Sequence, residues 1–182
     1  LVEPTDLLKA EAEAILAGIV LDTKNFTMRT GSRTFEAAAF LRKAGSDTTE
    51  VKKLFQSDLP STIAKYSIIR NARIYRDGIA VAAIDSQEER IIAAQAADEL
   101  LNIAGIQTSF VIYSEDGSVN ISARSIGEIN VQFILEKLGG GGNRSMAGAQ
   151  IKGKSTQEVL SALLAAIDSF IAEEEARREA EG

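Results

Sequence analysis

The chain has 182 residues, 45% of them hydrophobic, with no cysteine and no histidine. That supports one sizeable core or two small ones, and it excludes disulfides, thiolate metal sites, a Ser-His-Asp triad and any histidine base or metal cage. The formal net charge of -6 draws on Glu173, Glu174, Glu175, Glu179 and Glu181, so no double-stranded nucleic acid is expected as a partner, whereas a small phosphorylated ligand held by local arginines is not excluded.

Residues 6–18, DLLKAEAEAILAG, carry apolar residues at helical spacing with Gly18 as a stop. GIVLD then ends on Asp22 and reads as either a strand or a last turn before a loop. RTFEAAAFLRKA at 33–44 is helical and closed by Gly45. SDTTEVKKLF has an apolar stripe at Val51, Leu54 and Phe55, with Ser46 or Asp47 as its cap. Pro60 marks a break or a first helical turn, and a connecting helix follows to about Arg73.

From Ile74 the period changes to two short strands about Asp77-Gly78. QEERIIAAQAADELLNI predicts an amphipathic helix with Ile91, Ile92, Ala94, Gln95 and Leu100 about one flank. TSFVIYSEDGSVNISARS predicts a hairpin, with Phe110, Ile112, Val119 and Ile121 alternating about Asp116-Gly117. GEINVQFILEKLGG is a helix that meets a glycine run, SMAGAQIK a strand, and a long final helix follows Ser155 as its cap. The order from about residue 74, β-β-α-β-β-α-β-α, predicts an α/β fold, a mixed sheet with helices packed against it. The first 60 or so residues lack the strands for a sheet of their own. No apolar run reaches membrane-span length, and LVEPTD lacks the basic region of a signal peptide. Its want of a methionine reads as the cut end of something longer.

Four places carry candidate chemistry. Asp22 is a carboxylate able to bind Mn²⁺ or Mg²⁺, with Thr23 and Asn25 to orient it; a turn or cap aspartate is the commoner reading of such a residue. A lone carboxylate is a poor metal site. Arg29 and Arg33 flank Thr30-Gly31-Ser32 as a phosphate fork or as a solvated loop paired with Glu36. Arg124 ends a strand, Glu128 and Asn130 open the next helix, and Ser125 is available to cap it. The strongest local feature is LGGGGNRSMAGAQ. Gly139, Gly140, Gly141 and Gly142 permit positive φ and bare N–H groups suited to a phosphate or nucleotide edge, with Asn143 and Arg144 as further contacts. The spacing is neither a Walker loop nor a dinucleotide fingerprint, and a flexible linker is the plainer reading.

Two strings, AILAGIVLDTKNFTMRTGSRTFEAAAFLRKAG at 14–45 and SARSIGEINVQFILEKLGGGGNRSMAGAQI at 122–151, carry a resemblance that covers nearly the whole chain. It resembles the DHH/DHHA1 phosphoesterase superfamily, and more closely the C-terminal part of the membrane-anchored cyclic-di-AMP phosphodiesterases of Gram-positive bacteria. The resemblance implies that residues 1–60 are the end of a DHH catalytic domain, and that 61–182 are a linker helix and a DHHA1 substrate-binding domain. It implies metal-assisted hydrolysis of cyclic-di-AMP to pApA by a parent that uses two Mn²⁺ ions, in a bacterial membrane with its catalytic part in the cytoplasm. Asp22 matches the last metal-ligand aspartate. The other motifs would lie upstream of Leu1, so this chain, itself soluble, would not hydrolyse substrate alone.

The four glycines and Asn143 match a GGGGH-type substrate loop with asparagine in place of histidine, which removes a proton carrier. Arg124 matches a position that touches phosphate or base. The implied partners are a cyclic dinucleotide or short adenine nucleotide and the rest of the parent chain. Alternatives are an oligoribonuclease or 3′-phosphoadenosine-phosphate phosphatase, and a nucleotide-binding or homodimerising module without catalysis.

Overall fold

The structure is a computed structural model that describes residues 3, 6–76, 78–87 and 90–181, with backbone alone at 86, 87 and 181. The chain divides into two compact units, one up to Asp58 and one from Leu59 onward.

The first unit holds α1 (Lys9–Asp22), α2 (Ser32–Lys43) and α3 (Thr48–Lys53). Its core is small. Ala12, Leu16, Leu41 and Val51 are buried, and Val20, Phe26 and Ala38 pack half-buried against them. Helix α1 runs through Gly18 to Asp22, so the expected stop at Gly18 and the strand reading of GIVLD are both corrected. Burial of Leu16 and packing of Val20 outweigh the roughly 1 kcal/mol that a mid-helix glycine costs. Gly45 closes the α2 segment at φ +98, and Asp47, rather than Ser46, caps α3 by accepting from Thr49 N at 2.8 Å. Ser46 is instead fully buried.

The second unit begins with α4 (Leu59–Arg70), with Pro60 in its first turn. The helix ends at Arg70, three residues short of the expected Arg73, because Arg73 already opens a strand. The sheet contains β1 (Arg73–Arg76), β2 (Ile79–Gln87), β3 (Thr108–Glu115), β4 (Ser118–Ser125), β5 (Gly141–Gly142) and β6 (Met146–Lys152), in the order β1-β2-β3-β4-β6-β5. Among the described residues only β2 and β3 pair in parallel, with α5 (Arg90–Leu100) between them in the chain. Asp77 of the first expected turn, and Glu88 and Glu89 ahead of α5, lie outside the described residues. The β3–β4 hairpin closes as expected on Asp116 (φ +50) and Gly117 (φ +71), the paired positive φ angles of a type I′ turn.

Both faces of the central strands are covered. Phe110, Ile112, Val119, Ile121 and Ala123 face α6 (Val131–Glu136) and α7 (Thr156–Glu181), which contribute Ile134, Leu135, Leu163 and Ile167. Val111 and Tyr113 face α5 together with Ala93, Ala96 and Ala97. The buried face of α5 is thus largely alanine, which lets the helix lie close to the sheet. Ile91, expected on that flank, is 66% exposed, and Gln95 is exposed too. Ser109 Oγ ties β3 to α5 by donating to Ala97 O at 2.6 Å. Ser155 caps α7 in a reciprocal box with Glu158, as expected.

Candidate functional site

Strand parity sorts the second unit's polar residues. Along β4, Val119, Ile121 and Ala123 point to the α6–α7 face, so Asn120, Ser122 and Arg124 point to the α5 face. Arg124 accordingly lies 3.4 Å from Asp98 Oδ1 of α5 through Nε, an ion pair without hydrogen-bond geometry. Its Nη1 donates to Ser122 Oγ at 3.2 Å and Ala123 O at 2.9 Å. The guanidinium is therefore laid back along β4, over Ser122, with its side chain 15% exposed. Arg124 thus lies on the α5 side of the sheet, while α6, the helix that leads to the glycines, packs on the opposite side.

Helix α5 reaches β3 and β4 but leaves β6 and β5 open on its side. The result is a trough of about 530 Å³. Asn120 and Gln150 lie on it, with Tyr113, Glu115 and Arg90 along one wall and Gly139, Gly140, Gly141 and Gly148 along the other. Burial pushes the Tyr113 phenol's pKa up, so it stays neutral.

The glycine run is an ordered ribbon, which corrects the linker reading. Gly141 pairs with Gly148 and Gly142 with Ala147. The need for glycine differs along it. A Cβ at Gly140 would sit 2.5 Å from Gly148 O and 2.7 Å from Ala149 Cβ, and one at Gly142 would collide with Met146 O and the Ala147 backbone. Gly139 and Gly142 also hold φ of +75 and +152. Gly141 alone has ordinary φ and no atom within 4 Å of a built Cβ. Two of the four glycines are thus required by strand packing, one by its positive φ, and Gly141 by nothing inside the chain.

Asn143 holds the turn between β5 and β6. Its Oδ1 accepts from Ser145 N at 3.0 Å and Met146 N at 2.9 Å, and its N donates to Met146 O at 2.7 Å. Arg144 turns the other way. Its Nη2 donates to Glu128 O at 3.2 Å, and it lines a hollow with Phe133, Phe170 and Arg178 on the α6–α7 side. The structure therefore gathers Arg124 and the glycines on the α5 side and leaves Arg144 outside that group. Glu128 precedes α6 and pairs with Arg178, while Asn130, not Ser125, caps α6 by accepting from Gln132 N at 3.1 Å. Ser125 is buried and shares a hydrogen bond with Thr108 at 3.1 Å. Residue typing passed over Asn120, Ser122 and Gln150. The period-2 parity of Asn120 and Ser122 with Arg124 is the signal that would have found the first two.

In the first unit, Asp22 is the last residue of α1, 73% exposed in its side chain and 3.7 Å from Arg29 Nη1. Thr23 does not orient it. Its Oγ1 donates to Ile19 O at 2.6 Å and accepts from Phe26 N at 3.0 Å, closing the helix end. Lys24, Asn25 and Phe26 then take φ of +47, +58 and +64 in succession. The left-handed region costs non-glycine residues roughly 1–2 kcal/mol each, and such runs concentrate at functional sites. Phe26 stacks on Phe35 of α2 at 5.5 Å, which holds the strained turn in place. Among the described residues no three acidic side chains gather to hold a metal, and the chain has no histidine. Asp22 with its arginine neighbour does not fit a dinuclear centre by itself.

A glycine ribbon at the open end of a mixed sheet, with an anchored arginine on the same side, characterises the second unit. The DHHA1 domain family matches residues 76–173, and the chain belongs to that family. It is 48% identical over 165 residues to the cyclic-di-AMP phosphodiesterase PdeA of Listeria monocytogenes, covering 89% of this chain and 25% of that protein. It is 28% identical over 173 residues to the bifunctional oligoribonuclease and PAP phosphatase NrnA of Thermus thermophilus, covering 89% of this chain and 53% of that one. The fold matches an exopolyphosphatase-related protein from Bacteroides fragilis with a TM-score of 0.82 at 20% identity, over 92% of this chain and 52% of the other. The chain spans about a quarter of the length of the cyclic-di-AMP phosphodiesterases it matches. Among the described residues no helix is long and apolar enough to cross a membrane.

Proposed function

We propose that this chain is the substrate-binding part of a cyclic-di-AMP phosphodiesterase: a DHHA1 unit preceded by the closing segment of a DHH domain. The observation that carries the reading is the open trough in which a bare glycine ribbon faces Asn120 of β4, with an anchored arginine farther along the same face of that strand. Arg124 is already fixed by Ser122, Ala123 and Asp98, so little rotamer freedom is lost when it meets a phosphate. The ribbon lets a ligand approach the backbone where a side chain would stand off. Asn143 offers a carboxamide where a histidine is expected, so it hydrogen-bonds without carrying a proton. Arg144 in this reading contacts substrate only after leaving Glu128.

The 48% identity to PdeA supports cyclic-di-AMP as substrate and pApA as product. The parent then sits in a bacterial membrane with its catalytic part in the cytoplasm. Asp22 serves as one ligand of a two-Mn²⁺ centre whose other ligands lie outside this chain. The chain's own share is recognition, not hydrolysis. Calorimetric titration with cyclic-di-AMP and pApA, with and without Mn²⁺, tests this. The expected outcome is Mn²⁺-independent binding that Arg124→Ala weakens about tenfold or more, since a charge-assisted hydrogen bond contributes ~1.5–3 kcal/mol. Absence of binding to both ligands, or turnover by the chain alone, overturns it. The likeness to NrnA favours a second reading, short oligoribonucleotides or 3′-phosphoadenosine 5′-phosphate. Tighter binding of the latter than of cyclic-di-AMP would select it.

A further inference from the structure

We infer that the trough is a purine slot in which the carboxamides of Asn120 and Gln150 read the edge of an adenine, while the attached phosphate lies toward Arg124; this rests on the nucleotide reading above. Asn120 and Gln150 are direct register partners across β4 and β6, and both lie on the trough. Beside them the surface is bare. Gly148 is exposed on β6, and Gly141, opposite it on β5, has open space where a side chain would be. A planar ring can lie flat on such a strip, and Gly141, which the fold does not itself require, acquires a reason.

Distance along β4 orients the ligand. At the Asn120 end Glu115 and Arg90 stand together, Arg90 N donating to the Glu115 carboxylate at 3.0 Å, and Arg124, held by Asp98 beyond the trough's own lining, is the next cation along the same face. Arg124 stands four residues along β4, roughly 13 Å away at ~3.3 Å per residue, on the scale of one nucleoside monophosphate. Its Nη1 leans onto Ser122, back toward Asn120, so cation and carboxamides share one line.

Carboxamides suit adenine in particular. A carboxamide pairs its oxygen with the adenine N6 amino group and its nitrogen with a ring nitrogen, whereas the guanine edge presents two acceptors, O6 and N7. Asn120 Nδ2 donates to Ser118 O at 3.3 Å, which points its part in recognition to its oxygen. Gln150 is exposed and free to present both ends.

The test is ¹⁵N–¹H correlation NMR of the whole chain, titrated separately with 5′-AMP and 5′-GMP. The expected result is movement of the Asn120 and Gln150 side-chain amide signals and of the Gly141 and Gly148 amides, with AMP binding about tenfold or more tighter than GMP. Gln150→Ala, a change at an exposed position, should bring the two nucleotides within about twofold while the Arg124 region still responds. Shifts confined to Arg124 and Asn143 with equal affinities, or an AMP:GMP ratio untouched by Gln150→Ala, overturn the slot and leave the nucleotide function standing. No shift with either nucleotide removes that function and the slot with it.

Discussion

The two units spend their apolar residues differently. In the second, β3 and β4 are buried on both faces, between an alanine-lined helix on one side and α6 with α7 on the other. In the first, four buried apolar side chains among the described residues hold three helices, and Leu8, Leu21, Phe35 and Leu54 are each more than half exposed. An apolar groove of about 1110 Å³, lined by Leu16, Val20, Phe26 and Phe55 among others, stays open there. A sheet covered on both sides gives each strand two cores to join. A three-helix cluster gives each helix one. The contrast predicts two unfolding transitions, with the first unit melting at lower denaturant and its amides exchanging faster than those of β3 and β4.

The largest effect should come from the doubly covered sheet. Phe110 is fully buried, and Phe110→Ala should cost the second unit about 3–5 kcal/mol in a urea melt while leaving the first transition in place. Leu16→Ala should sit at the low end of the ~2–5 kcal/mol range, because the open groove beside Leu16 lets neighbours and water relax into the gap. Equal costs at the two positions, or loss of both transitions from Phe110→Ala, would break the comparison. It would mean that the units fold as one.

Within the second unit the same contrast runs along the ribbon. Gly142→Ala meets both a positive φ and a collision with β6, and should destabilise by about 1–3 kcal/mol. Gly141→Ala should fall within about 0.5 kcal/mol of the parent, yet weaken nucleotide binding if a ring lies against it. A thermal melt and a titration on each variant separate the glycine the fold needs from the one the ligand needs.

These contrasts explain what was legible in the sequence. The β3–β4 hairpin was, because Asp116-Gly117 satisfies a turn type that demands two positive φ angles, and flanking residues alternate. β5 was not. Two glycines carry no period-2 pattern, and their pairing with β6 is decided by clearance from Gly148 and Ala147. The α5 face was legible in part: Ile92 and Leu100 are buried as expected, but Ala93, Ala96 and Ala97 complete the buried side while the larger Ile91 lies exposed. Arg124 and Arg144 were both expected to contact one ligand, but strand parity and the Asn143 turn send them to opposite sides of the sheet. Which local choice wins at Gly18 depended on Leu16 and Val20 finding partners in α2 and α3, a tertiary matter.

A smaller effect should appear with pH. Tyr75 and Arg76 of β1 both bond Asp168 of α7, at 2.7 Å from Tyr75 Oη and 2.6 Å from Arg76 Nη2. The Tyr75 hydroxyl and then the Arg76 guanidinium hold the Asp168 carboxyl below its ordinary 3.8. A depressed folded-state value means stability that is present above the unfolded value and lost as pH falls through the folded one. Asp168→Asn should therefore lower stability slightly at pH 7, the effect kept small because the pair is solvent-screened, and converge on the parent in acid, flattening the limb below about pH 4. An unchanged acid limb would show that β1 is held by its ladder to β2 alone.

The smallest expected change in stability is the most informative for the first unit. Asp22 is exposed, and its contact with Arg29 is a surface pair of the kind worth ~0–1 kcal/mol, so Asp22→Ala should leave the first transition within about 0.5 kcal/mol. The three left-handed residues after it raise a different question, since the chain holds a strained turn there of which Phe26 alone packs against the small core. If the turn exists to present Asp22, then Asp22→Ala is silent in a melt of this chain and abolishes Mn²⁺-dependent hydrolysis when made in the full-length parent. If Asp22 is merely the end of a helix, the parent keeps its activity, and the strain at Lys24, Asn25 and Phe26 belongs to the Phe26–Phe35 stack instead.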